Sequence, residues 1–302
     1  MNDWYLANIV LVQSTMTVFL LSLSIQLPVR VGVFSFAGVG CYGIGGYTAA
    51  ICMTRYELAT WPSIALGAVL GGLASFLLGL LVQRLGGLYL GMATIAFTLI
   101  ISILAVNGGD FTGGAGGLFG ALGDLDTVSI LAVTVAVTLV LALSEAGRMG
   151  RRVDAVRDDP ELASAMGIDV ARYRRLAFLG SGLIGGLAGA LTILLRSSIT
   201  PAEVNFQLVV LALTVIVVGG YRSWVGALIG ALIFVWLPKL LDFVGEWEAV
   251  AYGLIVILAA LYLPGGVLGL AVDVYRRLRG DNNAEQGVPD AFEEFPIPQE
   301  GR

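Results

Sequence analysis

Nine apolar runs dominate the chain, at residues 6–27, 31–53, 62–83, 88–106, 128–144, 176–195, 204–221, 224–241 and 249–270. Each reaches or approaches the roughly 20 residues that a helix needs to cross the hydrocarbon core of a bilayer. A segment in lipid must satisfy its own backbone hydrogen bonds, so runs of this length read as helices. Charged residues make up only 13% of the 302 residues, against about 25% in soluble domains. The expected fold class is an all-α polytopic membrane protein with about eight to ten transmembrane or re-entrant helices.

The range in that number comes from 31–53. This run carries Gly32, Gly38, Gly40, Gly43, Gly45 and Gly46, together with Ser35 and Tyr42. So much glycine weakens a continuous helix. Two readings are open: a broken or re-entrant helix packed inside protein, and a straight helix packed closely against its neighbours.

The longest charged interruption before the tail runs from Arg148 to Arg175. It holds 7 of the 17 basic residues and 5 of the 22 acids. Basic residues between spans mark the cytoplasmic side, so 145–175 is placed inside. The other connections then alternate. Residues 107–127, with Asp110, Asp124 and Asp126 and no basic residue, fall outside, as do 196–203 and 242–248. Arg30, Arg84 and Arg222 fall inside. If all nine runs cross, the N-terminus lies outside; a re-entrant 31–53 reverses it. The first run has no basic residue before it, so no cleavable signal peptide is expected. The chain divides into a membrane domain, 1–275, and a cytoplasmic tail, 276–302, whose acidic, proline-containing composition predicts disorder.

The histidine count is zero, which excludes Ser-His-Asp and Cys-His catalysis and histidine metal sites. Cys41 and Cys52 are read as small membrane residues. The spans hold almost no ionisable residue, which argues against a carrier driven by a buried carboxylate. A membrane enzyme is disfavoured for the same reasons. No cofactor is expected on this chain, and no nucleic acid is expected as a partner. The lipid bilayer is.

Within the charged segment the residues spell a short capped helix. Asp158 or Asp159 can serve as N-cap, with Pro160 at the first helical position and Glu161 in the first turn. Gly167 supplies the stop. Leu162 and Met166, four apart, share one side of this helix, and such a helix suits docking into a groove on a partner. Asp169 is placed to cap a second helix running from Val170 into the span that begins at Leu176. Two other motifs are read as structural. The glycine-rich run from Thr112 to Gly120 lacks the Gly-Lys-Ser/Thr ending of a phosphate loop, and a flexible extracytoplasmic turn is expected. Gly226 and Gly230 have the spacing of a helix-packing motif.

The segment VRDDPELASAMGIDVARYRRLAF resembles the coupling loop of permeases in branched-chain amino acid ABC importers of the LivM type. VGVFSFAGVGCYGIGGYTAA, RLGGLYLGMATIAF, FTGGAGGLFG, VVGGYRSWVGALIGAL and YLPGGVLGL resemble further blocks of that family, in order, over roughly residues 30–270. The chain departs from the family pattern at Arg222, where glycine is usual, and at Ala227, where proline is usual. It also lacks the usual basic residue before the proline of YLPGGVLGL. The resemblance implies an ABC importer permease fold, without enzymatic activity of its own, in a bacterial cytoplasmic membrane. It implies a second homologous permease subunit, two cytoplasmic ATP-binding subunits that hold ATP and magnesium, and an extracytoplasmic solute-binding protein. Residues 157–168 become the coupling helix, with Arg157, Asp158, Asp159, Glu161, Leu162, Met166 and Gly167 as its site residues. The polar side chains Ser35, Tyr42, Tyr47, Thr94 and Thr98, set in apolar spans, are the expected lining of a translocation path. Permeases of this type also serve importers of urea, amides and aromatic acids, and a secondary transporter is the reading from another class.

Overall fold

The computed structural model describes residues 2–121, 123, 125–145, 147–221 and 223–241, with isolated positions between 253 and 269. The described residues form ten α-helices and one two-stranded ribbon. The helices are α1 (Asn2–Arg30), α2 (Ala37–Tyr56), α3 (Thr60–Val82), α4 (Gly87–Asn107), α5 (Thr127–Glu145), α6 (Gly147–Asp158), α7 (Pro160–Ala165), α8 (Val170–Arg196), α9 (Phe206–Gly219) and α10 (Trp224–Leu241). The strands are β1 (Leu118–Phe119) and β2 (Ser198–Ile199).

Among the described residues, 7 helical stretches are long and apolar enough to cross a membrane: α1 over Asn8–Arg30, α3, α4, α5, α8, Pro201–Gly219 which ends in α9, and α10. The protein is thus all-α and multi-pass. The expected eight to ten spans are not all found among these. The run at 249–270 lies mostly outside the described residues, as does the tail 276–302. The glycine-rich run at 31–53 contributes α2, which is less apolar than the seven but has 20 residues, a length of about 30 Å.

The two readings of that run are resolved by α2: it is one continuous helix, not a broken one. Its glycines serve contact with α3 and α8 rather than a break. A Cβ on Gly45 would sit 2.1 Å from the Gly186 carbonyl oxygen of α8, and one on Gly189 would sit 2.0 Å from that of Tyr42. Backbone meets backbone at these points, so the propensity cost of glycine is offset by packing that no larger residue permits. Cys41 and Cys52 are buried free thiols on the same helix.

Contacts sort the helix ends into two groups. At one end Arg30 of α1 pairs with Glu145 of α5, and Gln26 Nε2 donates to the carbonyls of Tyr221 and Ser223 at 2.9 Å each. Gly32 lies against the backbone of Arg157 there. At the other end the Arg55 guanidinium lies 5.5 Å from the Phe111 ring centre, and β1 pairs antiparallel with β2. The α1–α2 connection therefore lies at the first end and the α2–α3 connection at the second, so α2 crosses with the others. This is the arrangement expected if the run at 31–53 crosses; the arginine-rich end is the one that the basic-residue rule assigns to the inner side.

The glycine-rich segment 112–120 is ordered rather than flexible. Leu118 and Phe119 pair with Ile199 and Ser198. Gly117, at φ 81°, lies so close to this partner that a Cβ would fall 2.0 Å from the Ile199 oxygen. The strand pairing recruits the glycines, and their sequence alone carries no sign of the partner. At the α9–α10 turn Gly226 and Gly230 do pack helix on helix, with a Cβ on Gly230 falling 2.1 Å from the Val215 oxygen.

Two apolar clusters result. The larger fills the membrane region between α1, α2, α8, α9 and α10. The smaller sits at the inner end and joins Val31, Val33, Ala37, Val82, Leu90, Val156, Ala163, Ala177 and Phe178.

Candidate functional site

The inner-end element begins with α6, a helix not anticipated as such: six of its 12 residues are charged and its apolar positions are few. Gly150 and Val156, the latter 0% exposed, are its buried residues. A one-residue break at Asp159 follows. The Asp159 carboxylate Oδ1 accepts hydrogen bonds from the amides of Glu161 at 3.0 Å and Leu162 at 2.9 Å. Pro160 stands at the first helical position, where no amide hydrogen is needed. Asp159, not Asp158, is the cap.

α7 ends as its sequence suggests. Gly167 adopts φ 83°, the left-handed conformation that glycine reaches without a steric penalty. The Ile168 amide donates to the Ala163 carbonyl and the Gly167 amide to that of Ser164, both at 3.0 Å, the paired bonds of a Schellman stop. Asp169 then caps α8 by accepting from the Arg172 amide at 2.9 Å. Because α8 runs unbroken from Val170 to Arg196, the root of a membrane span is one rigid rod with the end of this element.

The short helix is anchored on one side and bare on the other. Ala163 is 1% exposed, whereas Leu162 is 58% and Met166 72% exposed. Glu161 and Asp158 are exposed beside them. Two large apolar side chains are thus held in solvent by an otherwise anchored helix. Arg157 is fastened in place: its Nε lies 2.9 Å from Asp158 and an Nη lies 3.4 Å from Asp154. The hydrogen bond to Asp158 raises the guanidinium pKa above its ordinary value, so this group is charged at every relevant pH.

The element is tied to the membrane helices at both ends of α6. Glu145, just before it, pairs with Arg30. Arg157, near its end, lies over Gly32, where a Cβ would sit 3.3 Å from the Arg157 Cα. Residues 30 and 32 flank one turn, so a single α1–α2 connection receives both ends of α6. Arg30 also reaches Gln26 Oε1 at 3.3 Å, which extends the link to the α9–α10 turn through Gln26. Sequence placed Arg30 and Glu145 at span ends, but a pairing across 115 positions has no local signature. The one available signal was that both charges fall on the same predicted side.

The five residues expected along a path do not form one lining. Ser35 Oγ accepts from the Ala37 amide at 3.3 Å, and Thr94 Oγ1 accepts from the Phe36 amide at 3.0 Å. The hydroxyls of Thr94 and Thr98 donate to carbonyls in their own helix. These three are buried and hold the entry into α2 and the course of α4. Tyr42 lines a cleft of about 270 Å³ with Ser14, Thr17, Thr192, Arg196 and Glu203. The buried hydroxyl of Tyr47 and Oε2 of Glu203 make no hydrogen bond among the described residues. Arg196 ends α8, and the α8–α9 connection brings it and Glu203 to this cleft. Among the described residues there is no group of three or more histidine, cysteine, aspartate or glutamate residues placed to hold a metal.

Comparison with known proteins gives a consistent picture. The family described as branched-chain amino acid transport system / permease component matches residues 6–263. The high-affinity branched-chain amino acid transport system permease protein LivM of Salmonella typhimurium is 27% identical over 310 aligned residues, covering 90% of this chain and 73% of the relative. The probable branched-chain amino acid transport permease protein LivH of Methanocaldococcus jannaschii is 28% identical, covering 86% of this chain and 90% of the relative. The fructose import permease protein FrcC of Rhizobium meliloti is 32% identical over a shorter stretch, 44% of this chain and 39% of the relative. No solved structure matches.

Proposed function

The chain belongs to the family of branched-chain amino acid transport system permease components, and from that premise we propose that it is a membrane-spanning subunit of an ABC importer that admits branched-chain amino acids. The observation that carries this reading is the inner-end element. It is a short, doubly capped helix with Leu162 and Met166 in solvent, set on an apolar cluster that reaches the ends of α1, α2, α3, α4 and α8.

In this reading two cytoplasmic ATP-binding subunits hold ATP and magnesium and grip α7 through Leu162 and Met166. Their closure displaces α7. Ile168 and the Asp169 cap pass the motion into α8, and Arg157 passes it through Gly32 to α1 and α2. A second homologous permease completes the pathway, and an extracytoplasmic binding protein delivers the solute at the end that carries Phe111 and the β1–β2 ribbon. The setting is a bacterial cytoplasmic membrane, with the arginine-rich end inside. Nothing in this chain performs a covalent step; its chemistry is the transmission of force. The cleft of Tyr42, Arg196 and Glu203 supplies a cation, an anion and hydroxyls, groups suited to a zwitterionic solute near the outer end.

The test is substrate-stimulated ATP hydrolysis by the assembled importer in proteoliposomes. Leu162→Glu places a charge at the centre of the docking surface and Gly167→Pro removes the helix stop. Both should abolish stimulated hydrolysis and uptake while the protein still inserts. Coupled hydrolysis unchanged in Leu162→Glu would sink the reading.

A further inference from the structure

A groove of about 680 Å³ lies between α6, the end of α7 and the root of α8. Arg148, Arg152 and Arg172 line it with Met149, Tyr173 and Leu176. All three arginines are exposed, and among the described residues none has an ion-pair partner. The one carboxylate in the lining, Asp169, accepts the Arg172 amide as the cap of α8. The groove therefore carries an excess of uncompensated positive charge.

Its height is set by the spans. α5 ends at Glu145, three residues before Arg148, and the apolar run of α8 begins at Leu176, four residues after Arg172. Arg148 stands just past the end of α5, and at 1.5 Å per residue along α8, Arg172 lies about 6 Å beyond the end of the apolar run. That is the depth of the phospholipid headgroup layer. The floor of the groove is apolar and open: Met149 is 46% and Leu176 44% exposed. Met149 also borders the surface that includes Val140 of α5, which is itself exposed. Three guanidiniums above and an apolar floor below match a phosphodiester joined to acyl chains.

We propose that this groove binds the headgroup of an anionic phospholipid of the inner leaflet, with Arg148, Arg152 and Arg172 on the phosphate and Leu176 and Met149 against the chains. A lipid so placed bridges α6, the stop of α7 and the root of α8, and makes the inner-end element sensitive to the composition of its bilayer. The proposal needs only the membrane placement of the chain and its basic-end-inside orientation. It is read without transport, so it fails separately from the importer reading.

The experiment counts lipids retained by the purified full-length protein, by native mass spectrometry from nanodiscs of phosphatidylcholine mixed with phosphatidylglycerol. Each basic residue near an anionic surface contributes a factor of about fivefold. Arg148→Gln, Arg152→Gln and Arg172→Gln should each reduce retained phosphatidylglycerol by about that factor, and the triple variant by about a hundredfold. Arg151→Gln removes the same charge from α6 outside the groove lining and should reduce retention less than any of the three. Lysine at all three positions keeps the charge and should retain lipid even if the triple glutamine variant fails to fold. Retention by the single and triple variants equal to that of Arg151→Gln overturns the proposal. So does displacement by inorganic phosphate alone, or a photo-crosslinker at position 152 that labels only a protein subunit.

Discussion

The centre of the molecule and its inner end are held by different means. At the centre α2, α3 and α8 touch backbone to backbone: a Cβ on Gly45 would lie 2.1 Å from the Gly186 oxygen, and one on Gly182 would lie 2.4 Å from that of Gly71. At the Gly45–Gly186 contact no side chain stands between the two backbones that could yield, which makes this crossing stiff. At the inner end, α6 and α7 rest on a small cluster of valines and alanines, one ion pair and two aspartate caps. Side chains and rotamers can adjust there. In the proposed coupling, a push from outside the membrane would reach the spans through a compliant joint and a stiff lever.

The comparison can be broken first at the centre. Gly45→Val places its branch inside the α8 backbone, and overpacking of this kind should cost about 3 kcal/mol or more. Loss of the folded, membrane-inserted protein, read as detergent-resistant monodisperse material, is expected; wild-type yield would show that the centre yields after all. Leu162→Glu at the inner end should behave oppositely, with normal yield and no coupled hydrolysis. Arg30→Gln leaves Glu145 without its partner and should lower thermal stability by about 2 kcal/mol, less than for a deeply buried pair because Glu145 is a third exposed. Adding Glu145→Gln should recover part of that loss, and failure to recover any would show that the pair is incidental. The smallest effect belongs to the cap. Asp159→Ala should cost about 1 kcal/mol of local stability, seen as faster amide exchange over 160–168, while Asp159→Asn preserves protection.

The sharpness of the local readings follows from where their information lies. Asp159, Pro160, Gly167 and Asp169 act within a few residues of themselves, so the start and stop of α7 and the start of α8 could be read directly. The span limits were legible because a bilayer imposes one length on every helix. The path residues were less so. Ser35, Thr94 and Thr98 are polar residues in apolar runs, but their hydroxyls serve the backbone of α2 and α4. Arg196 and Glu203 look like ordinary span ends until the α8–α9 connection sets them beside Tyr42.

By itself the sequence determined that the chain is an all-α membrane protein, which end carries the arginines, and that a capped helix stands at that end. Each is fixed by hydropathy, charge or hydrogen bonding within one segment. Only the tertiary structure decided that α2 is continuous, that 112–120 is an ordered ribbon, and that residues 30 and 32 receive both ends of α6. Those outcomes depend on partners far along the chain: glycines of α8 that replace lost helix propensity with contact, a strand at 198–199, and a carboxylate 115 positions from its arginine. Local sequence holds no record of such partners.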